Sequence, residues 1–101
     1  MWLIAMFDVP VATREQRRRY ARLRQGLLRQ GFLRMQYSVY AKFLPSEEAA
    51  KSCRSRVRDL VPAGGDLRLL AITDIQYARM QVFEGKKRLR PESAPDQLLI
   101  L

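Results

Sequence analysis

The stretch that decides the fold is Phe32-Leu33-Arg34-Met35-Gln36-Tyr37-Ser38-Val39-Tyr40-Ala41-Lys42-Phe43. Met35, Tyr37, Val39, Ala41 and Phe43 alternate with Gln36, Ser38, Tyr40 and Lys42. That period of two is the mark of a strand half-buried in a sheet. Its phase puts Ser38 and Tyr40 on the polar side. The pattern alone leaves two forms open, one long strand or a tight hairpin bent near Ser38. No Asn-Gly or Asp-Gly pair marks a turn.

Upstream, Trp2-Leu3-Ile4-Ala5-Met6-Phe7 is a continuous apolar run, read as a strand covered on both faces near the middle of a sheet. Asp8 ends it, and Pro10 prevents further ladder pairing. Thr13-Arg14-Glu15-Gln16 has the capping-box form and starts a helix. Gly31 stands where a helix C′ glycine belongs. Between them Tyr20, Leu23 and Leu27 recur at helical spacing as the buried stripe. At about 100° per residue, Arg14, Arg18, Arg22 and Arg29 share one narrow sector away from that stripe.

Downstream, Pro45-Ser46-Glu47-Glu48 opens a second helix, with Ser46 as N-cap and acids in the first turn. Ala49, Ala50, Cys53, Val57 and Leu60 form its apolar face, and Pro62 with Gly64-Gly65 ends it. Leu67 to Ile72 reads as a further strand closing at a Thr73-Asp74 turn. Arg79 to Phe83 reads as a short strand closed by Gly85. A basic, proline-bearing segment, Lys86 to Pro95, leads to the apolar end Leu98 to Leu101. If the decisive stretch is a hairpin, the order is βαββαβ with extra strand at the C-terminal end. This is an α+β, ferredoxin-like split βαβ arrangement. Residues 1–85 are expected to form that domain, and 86–101 an extension.

Composition bounds the function. A chain of 101 residues makes one domain, and at this size it buries only roughly two-thirds of its unfolded surface, so a second copy would help it. Lys and Arg number 19 against 10 acids, a net charge of +9. Arg, the better fork for phosphate, supplies 15 of the 19. That excess points to a polyanion, with nucleic acid first. One cysteine, Cys53, permits no internal disulfide, and its place on an apolar helix face reads as core. No run approaches a membrane span, and Met1 to Phe7 lacks the features of a signal peptide, so the cytoplasm is expected. The absence of histidine removes His-ligated zinc, Ser-His-Asp triads and Cys-His pairs. Hydrolysis by this chain would need carboxylates and a hard, oxygen-preferring metal.

Asp8 is the sharpest chemical candidate, at the carboxyl end of a buried strand where open sheets place functional groups. An Asx-type turn before Pro10 explains it equally well. One carboxylate cannot satisfy Mg2+, which wants six oxygens, but a twofold axis would bring a second Asp8 beside the first. Glu47 and Glu48 serve the helix dipole, and Asp74 reads as structural.

The chain resembles the Cas-two family of CRISPR-associated proteins along nearly its whole length. The residues that carry this are Met6-Phe7-Asp8-Val9-Pro10, the Arg-rich helix ending in Gly31-Phe32, Arg34-Met35-Gln36-Tyr37-Ser38-Val39-Tyr40, and Ile72-Thr73-Asp74 followed by Gln76-Tyr77 and Val82-Phe83-Glu84-Gly85. Pro95 to Leu99 resembles the branch associated with type II CRISPR systems. The resemblance implies a homodimer with two sheets face to face and a C-terminal strand reaching toward the partner protomer. It implies a structural role in spacer acquisition, holding duplex DNA with the Cas-one integrase. It also implies a metal-dependent endonuclease activity on RNA or double-stranded DNA, with Mg2+ or Mn2+. Asp8 is then the metal ligand, with Arg34, Ser38 and Tyr40 at neighbouring positions of the cleft. The helix arginines Arg14, Arg17, Arg18, Arg19, Arg22 and Arg29 would meet nucleic acid. Phe7 stands where the family often has tyrosine, so no hydroxyl is available there. A toxin-like ribonuclease of similar fold is the third reading.

Overall fold

The computed structural model describes residues 1–94. The apolar end Leu98 to Leu101 and the Pro95 to Leu99 run lie outside the described residues.

The decisive stretch is a hairpin: β2, Leu33–Gln36, and β3, Val39–Phe43, joined at Tyr37-Ser38. Their register shifts between Arg34 and Gln36, an irregularity that bends the hairpin near its tip. The central strand is β1, Trp2–Asp8, paired antiparallel with β3 on one side and with β4, Asp66–Ile72, on the other. The sheet order is β2-β3-β1-β4, as the split βαβ reading requires.

Helix α1, Arg14–Arg29, begins with the expected capping box. The Gln16 N–H donates to Thr13 Oγ1 at 3.1 Å, and the Thr13 N–H donates to Gln16 Oε1 at 3.0 Å. It ends at Gly31, whose φ of 93° suits only glycine without strain. The next N–H, of Phe32, then reaches back to Leu27 O at 3.1 Å, and the Lys42 ammonium donates to Gln30 O at the negative end of the helix. Helix α2, Glu47–Arg58, starts at the Ser46 cap. Both helices lie on one face of the sheet. There Leu3, Ala5, Phe7, Val9, Leu23, Leu27, Ala50, Cys53 and Val57 make one continuous core. Each large apolar side chain fully buried in it is worth about 1.5–3 kcal/mol.

The opposite face of β1 carries Trp2, Ile4 and Met6. Trp2 and Ile4 are sealed by Tyr77, whose ring stacks on the indole at 3.9 Å and 9°. Tyr77 belongs to α3, Asp74–Ala78. This helix replaces the expected Thr73-Asp74 turn: Thr73 is its N-cap and Asp74 its first residue, in a second capping box with Gln76. The short strand starts later than expected, as β5, Val82–Glu84. It pairs with β6, Lys87–Leu89, which lies inside the basic, proline-bearing segment Lys86 to Pro95.

Candidate functional site

The expected site residues meet at one end of the sheet but not on one face. Phe7 and Asp8 finish β1 there, and the β2–β3 turn is tied to them by the Phe7 N–H donating to Ser38 O at 3.0 Å. Side chains alternate along a strand, so Asp8 shares the face of Met6, Ile4 and Trp2, away from the two helices. Arg34 and Tyr40 are register partners and face the helices.

Tyr40 is buried at 1% exposure, in core contact with Phe7 at 5.6 Å between rings. Its expected place on an exposed polar side is therefore corrected. Both faces of β3 are covered near its centre, so alternation there separates two interiors rather than inside from outside. Ser38 is half-buried in the turn, and its carbonyl is the part that bonds. Arg34 is exposed, with its guanidinium carbon 5.7 Å from the centre of the Tyr37 ring.

Asp66 carries no sequence signal that singles it out. The β1–β4 register puts it directly opposite Asp8, and opposed residues of an antiparallel pair carry Cβ atoms about 4.5–5.5 Å apart on the same face. Both residues are exposed. Among the described residues no Lys or Arg lies within ion-pair distance of either. Opposed like charges in a sheet repel, and a hard cation between them would relieve that cost. The residues thus fit Mg2+ or Mn2+ as a pair of oxygen donors. Among the described residues no group of three or more ligating side chains exists, so one protomer supplies only part of a six-oxygen shell.

The helix arginines divide by what they touch. Arg17 Nη1 donates to Ala12 O at 3.0 Å and Val11 O at 3.3 Å, which ties down the loop after β1. Arg18 and Arg19 share Glu15 at 3.3 and 3.4 Å, exposed pairs of small energetic worth. Arg14, Arg22 and Arg29 are exposed and have no acidic partner among the described residues.

Beside them an aromatic series runs out of the core: Tyr40 to Phe7, Phe7 to Tyr20 at 6.0 Å, and Tyr20 to Tyr37 at 5.5 Å. Burial, then the hydrogen bond to Tyr37, holds the Tyr20 phenol above its ordinary value, so it stays a donor. A cavity of about 680 Å3 lies far from this end, between Trp2, Tyr77 and residues 88–94. Its lining bears no relation to Asp8, and no described helix is long and apolar enough to cross a membrane.

The family model described as CRISPR associated protein Cas2 matches residues 1–80. A curated relative from Parvibaculum lavamentivorans, named CRISPR-associated endoribonuclease Cas2, is 48% identical over 97% of each chain. Another of that name, from Paracidovorax avenae, is 38% identical over 96% of this chain and 90% of its own. Among solved structures, Streptococcus pyogenes Cas2 at pH 6.5 superposes with a TM-score of 0.64 at 16% identity, covering 83% of this chain and 100% of that one. That last likeness speaks to the fold.

Proposed function

The chain belongs to the CRISPR-associated Cas2 family, and from that premise we propose that it serves CRISPR adaptation in the prokaryotic cytoplasm, as a homodimer that holds duplex DNA for spacer acquisition with the Cas-one integrase. The observation that carries this reading is the unpaired arginine stripe of α1. Arg14, Arg22 and Arg29 are exposed, free of acids among the described residues, and set on a helix held rigid at both ends. A twofold axis doubles the stripe, which suits the repeated phosphates of a duplex. Leu70 supports the face-to-face dimer: it is 50% exposed on the sheet face that α1 and α2 leave bare, beside Ile4.

A second reading, a metal-dependent endonuclease on RNA or double-stranded DNA, is favoured by the opposed carboxylates of Asp8 and Asp66. These residues would hold Mg2+ or Mn2+, which when bound supplies Lewis-acid polarisation of a phosphodiester. Arg34, on the other face of the sheet, would offer its fork to a phosphate away from the metal rather than at it. Ser38 and Tyr40 act as positioning residues, one through its carbonyl on Phe7 and the other through its ring.

The test is spacer acquisition in cells with the cognate integrase, together with DNA affinity as a function of salt. Arg14→Glu with Arg22→Glu is expected to abolish acquisition and to flatten the log–log salt slope by about 0.9 for each phosphate no longer neutralised. Asp8→Asn is expected to bind DNA at least as tightly and to keep acquiring spacers. Loss of acquisition by a folded Asp8→Asn dimer with normal DNA affinity would overturn the scaffold reading in favour of chemistry at Asp8.

A further inference from the structure

We propose that Tyr37, at the tip of the β2–β3 hairpin, is a stacking platform for one unpaired nucleobase, with Arg34 beside it as the cationic contact. This rests on the nucleic-acid reading above and adds a position that reads base faces rather than phosphates. Tyr37 is 60% exposed, a large aromatic left in solvent at a turn. It is nevertheless held. The Tyr20 ring lies against one of its faces, 5.5 Å between centres and 16° from parallel. The Tyr20 hydroxyl also donates to Tyr37 O at 3.1 Å, pinning the backbone beneath the ring. Through Tyr20 the ring is backed by Phe7 and the buried Tyr40.

A ring that is both exposed and immobilised meets a flat partner at little entropic cost. The Arg34 guanidinium, 5.7 Å from the ring centre, adds a second planar, cationic group that stacks on bases as it does on tyrosine. A base layered between ring and guanidinium needs about 7 Å, two carbon–carbon separations of about 3.5 Å each. An exposed arginine provides the difference by a small rotation. Base pairing buries base faces inside a duplex, so the partner is an unpaired base in a single strand or at a frayed end. A second copy of this chain is a poor occupant, because Tyr37 stacks on a helix residue and so lies off the bare sheet face.

The experiment uses the full chain with single-stranded DNA and RNA oligonucleotides carrying 2-aminopurine, and a blunt duplex of the same sequence. Wild type is expected to quench 2-aminopurine on binding the single strand. Tyr37→Leu is expected to lose that quench and about tenfold in single-strand affinity, with duplex affinity changed less than about twofold. Tyr37→Phe should keep both, since the ring and not the hydroxyl stacks. The DNA and RNA arms show which backbone carries the base. Retained quench and affinity in Tyr37→Leu, or an equal loss on the duplex, would overturn the platform while leaving the arginine-stripe reading in place. A wild type that binds neither strand form with salt dependence would overturn both. A Tyr37→Leu protein whose only change is its oligomeric state would overturn the platform by assigning Tyr37 to a protein interface.

Discussion

The two faces of the sheet are built from the same strands and end up in different conditions. Toward the helices, Leu3, Ala5 and Phe7 meet Leu23, Leu27, Ala50 and Val57 in a core closed along its length. On the other side, Tyr77 packs on Trp2 and Ile4, but among the described residues cover fails beside and beyond Ile4, where its partner Leu70 is half-exposed, Met6 half-buried and Asp8 open. Two helices of 16 and 12 residues suffice to cover one face of a four-stranded sheet. A helix of 5 residues covers only an end of the other. Among the described residues one protomer therefore completes one core and begins a second, and what they leave uncovered adjoins the carboxylates.

Cutting one leucine from each face separates the two most sharply. Leu23→Ala removes a side chain with 0% exposure and is expected to cost about 3 kcal/mol, from reduced burial and the cavity left behind. The readout is the urea midpoint. A cost no larger than that of the half-exposed Leu70→Ala would show that the helix-side core is not the main source of stability. Next in size is an effect on association. Leu70→Glu puts a charge on the bare face and is expected to weaken the proposed dimer about 30-fold, about 2 kcal/mol, while leaving the protomer folded. Sedimentation equilibrium measures it, and an unchanged dimer constant would move the interface elsewhere.

The smallest effect is a pH dependence to which both faces contribute. Burial pushes the Cys53 thiol up from its ordinary 9.0 on the helix side. On the other side, burial and then the hydrogen bond to Glu92 push the Tyr77 phenol well above its ordinary 10.0. Each group ionises more readily in the unfolded chain. Their contribution is therefore complete below about pH 9 and declines as pH rises toward the raised folded values. Denaturant midpoints at about pH 8 and about pH 10.5, on either side of the ordinary phenol value, should differ by less in Tyr77→Phe than in wild type. Equal differences would mean that Tyr77 remains as free to ionise in the folded chain as in the unfolded one.

The capping box Thr13-Arg14-Glu15-Gln16 is legible in the sequence because its hydrogen bonds span three residues and need nothing else. Thr73-Asp74-Ile75-Gln76 carries the same signal. It reads as a turn because a helix of one or two turns leaves no apolar period to see. Asp8 is legible as the polar stop of an apolar strand. Tyr40 is misplaced by its pattern for a simple reason: alternation says that neighbours face opposite ways, not which way is dry.

The sequence by itself determined the order of the main elements, their caps, the central strand and the basic stripe. Each is written within a few residues, as hydrogen bonds at fixed spacing or an apolar period. Only the tertiary structure decided that Asp66 stands opposite Asp8, that Arg34 and Asp8 lie on different faces, and that Tyr37 is backed by Tyr20. Those facts come from strand register and helix placement, which depend on the sum of many interactions between distant parts of the chain. No local spacing encodes them.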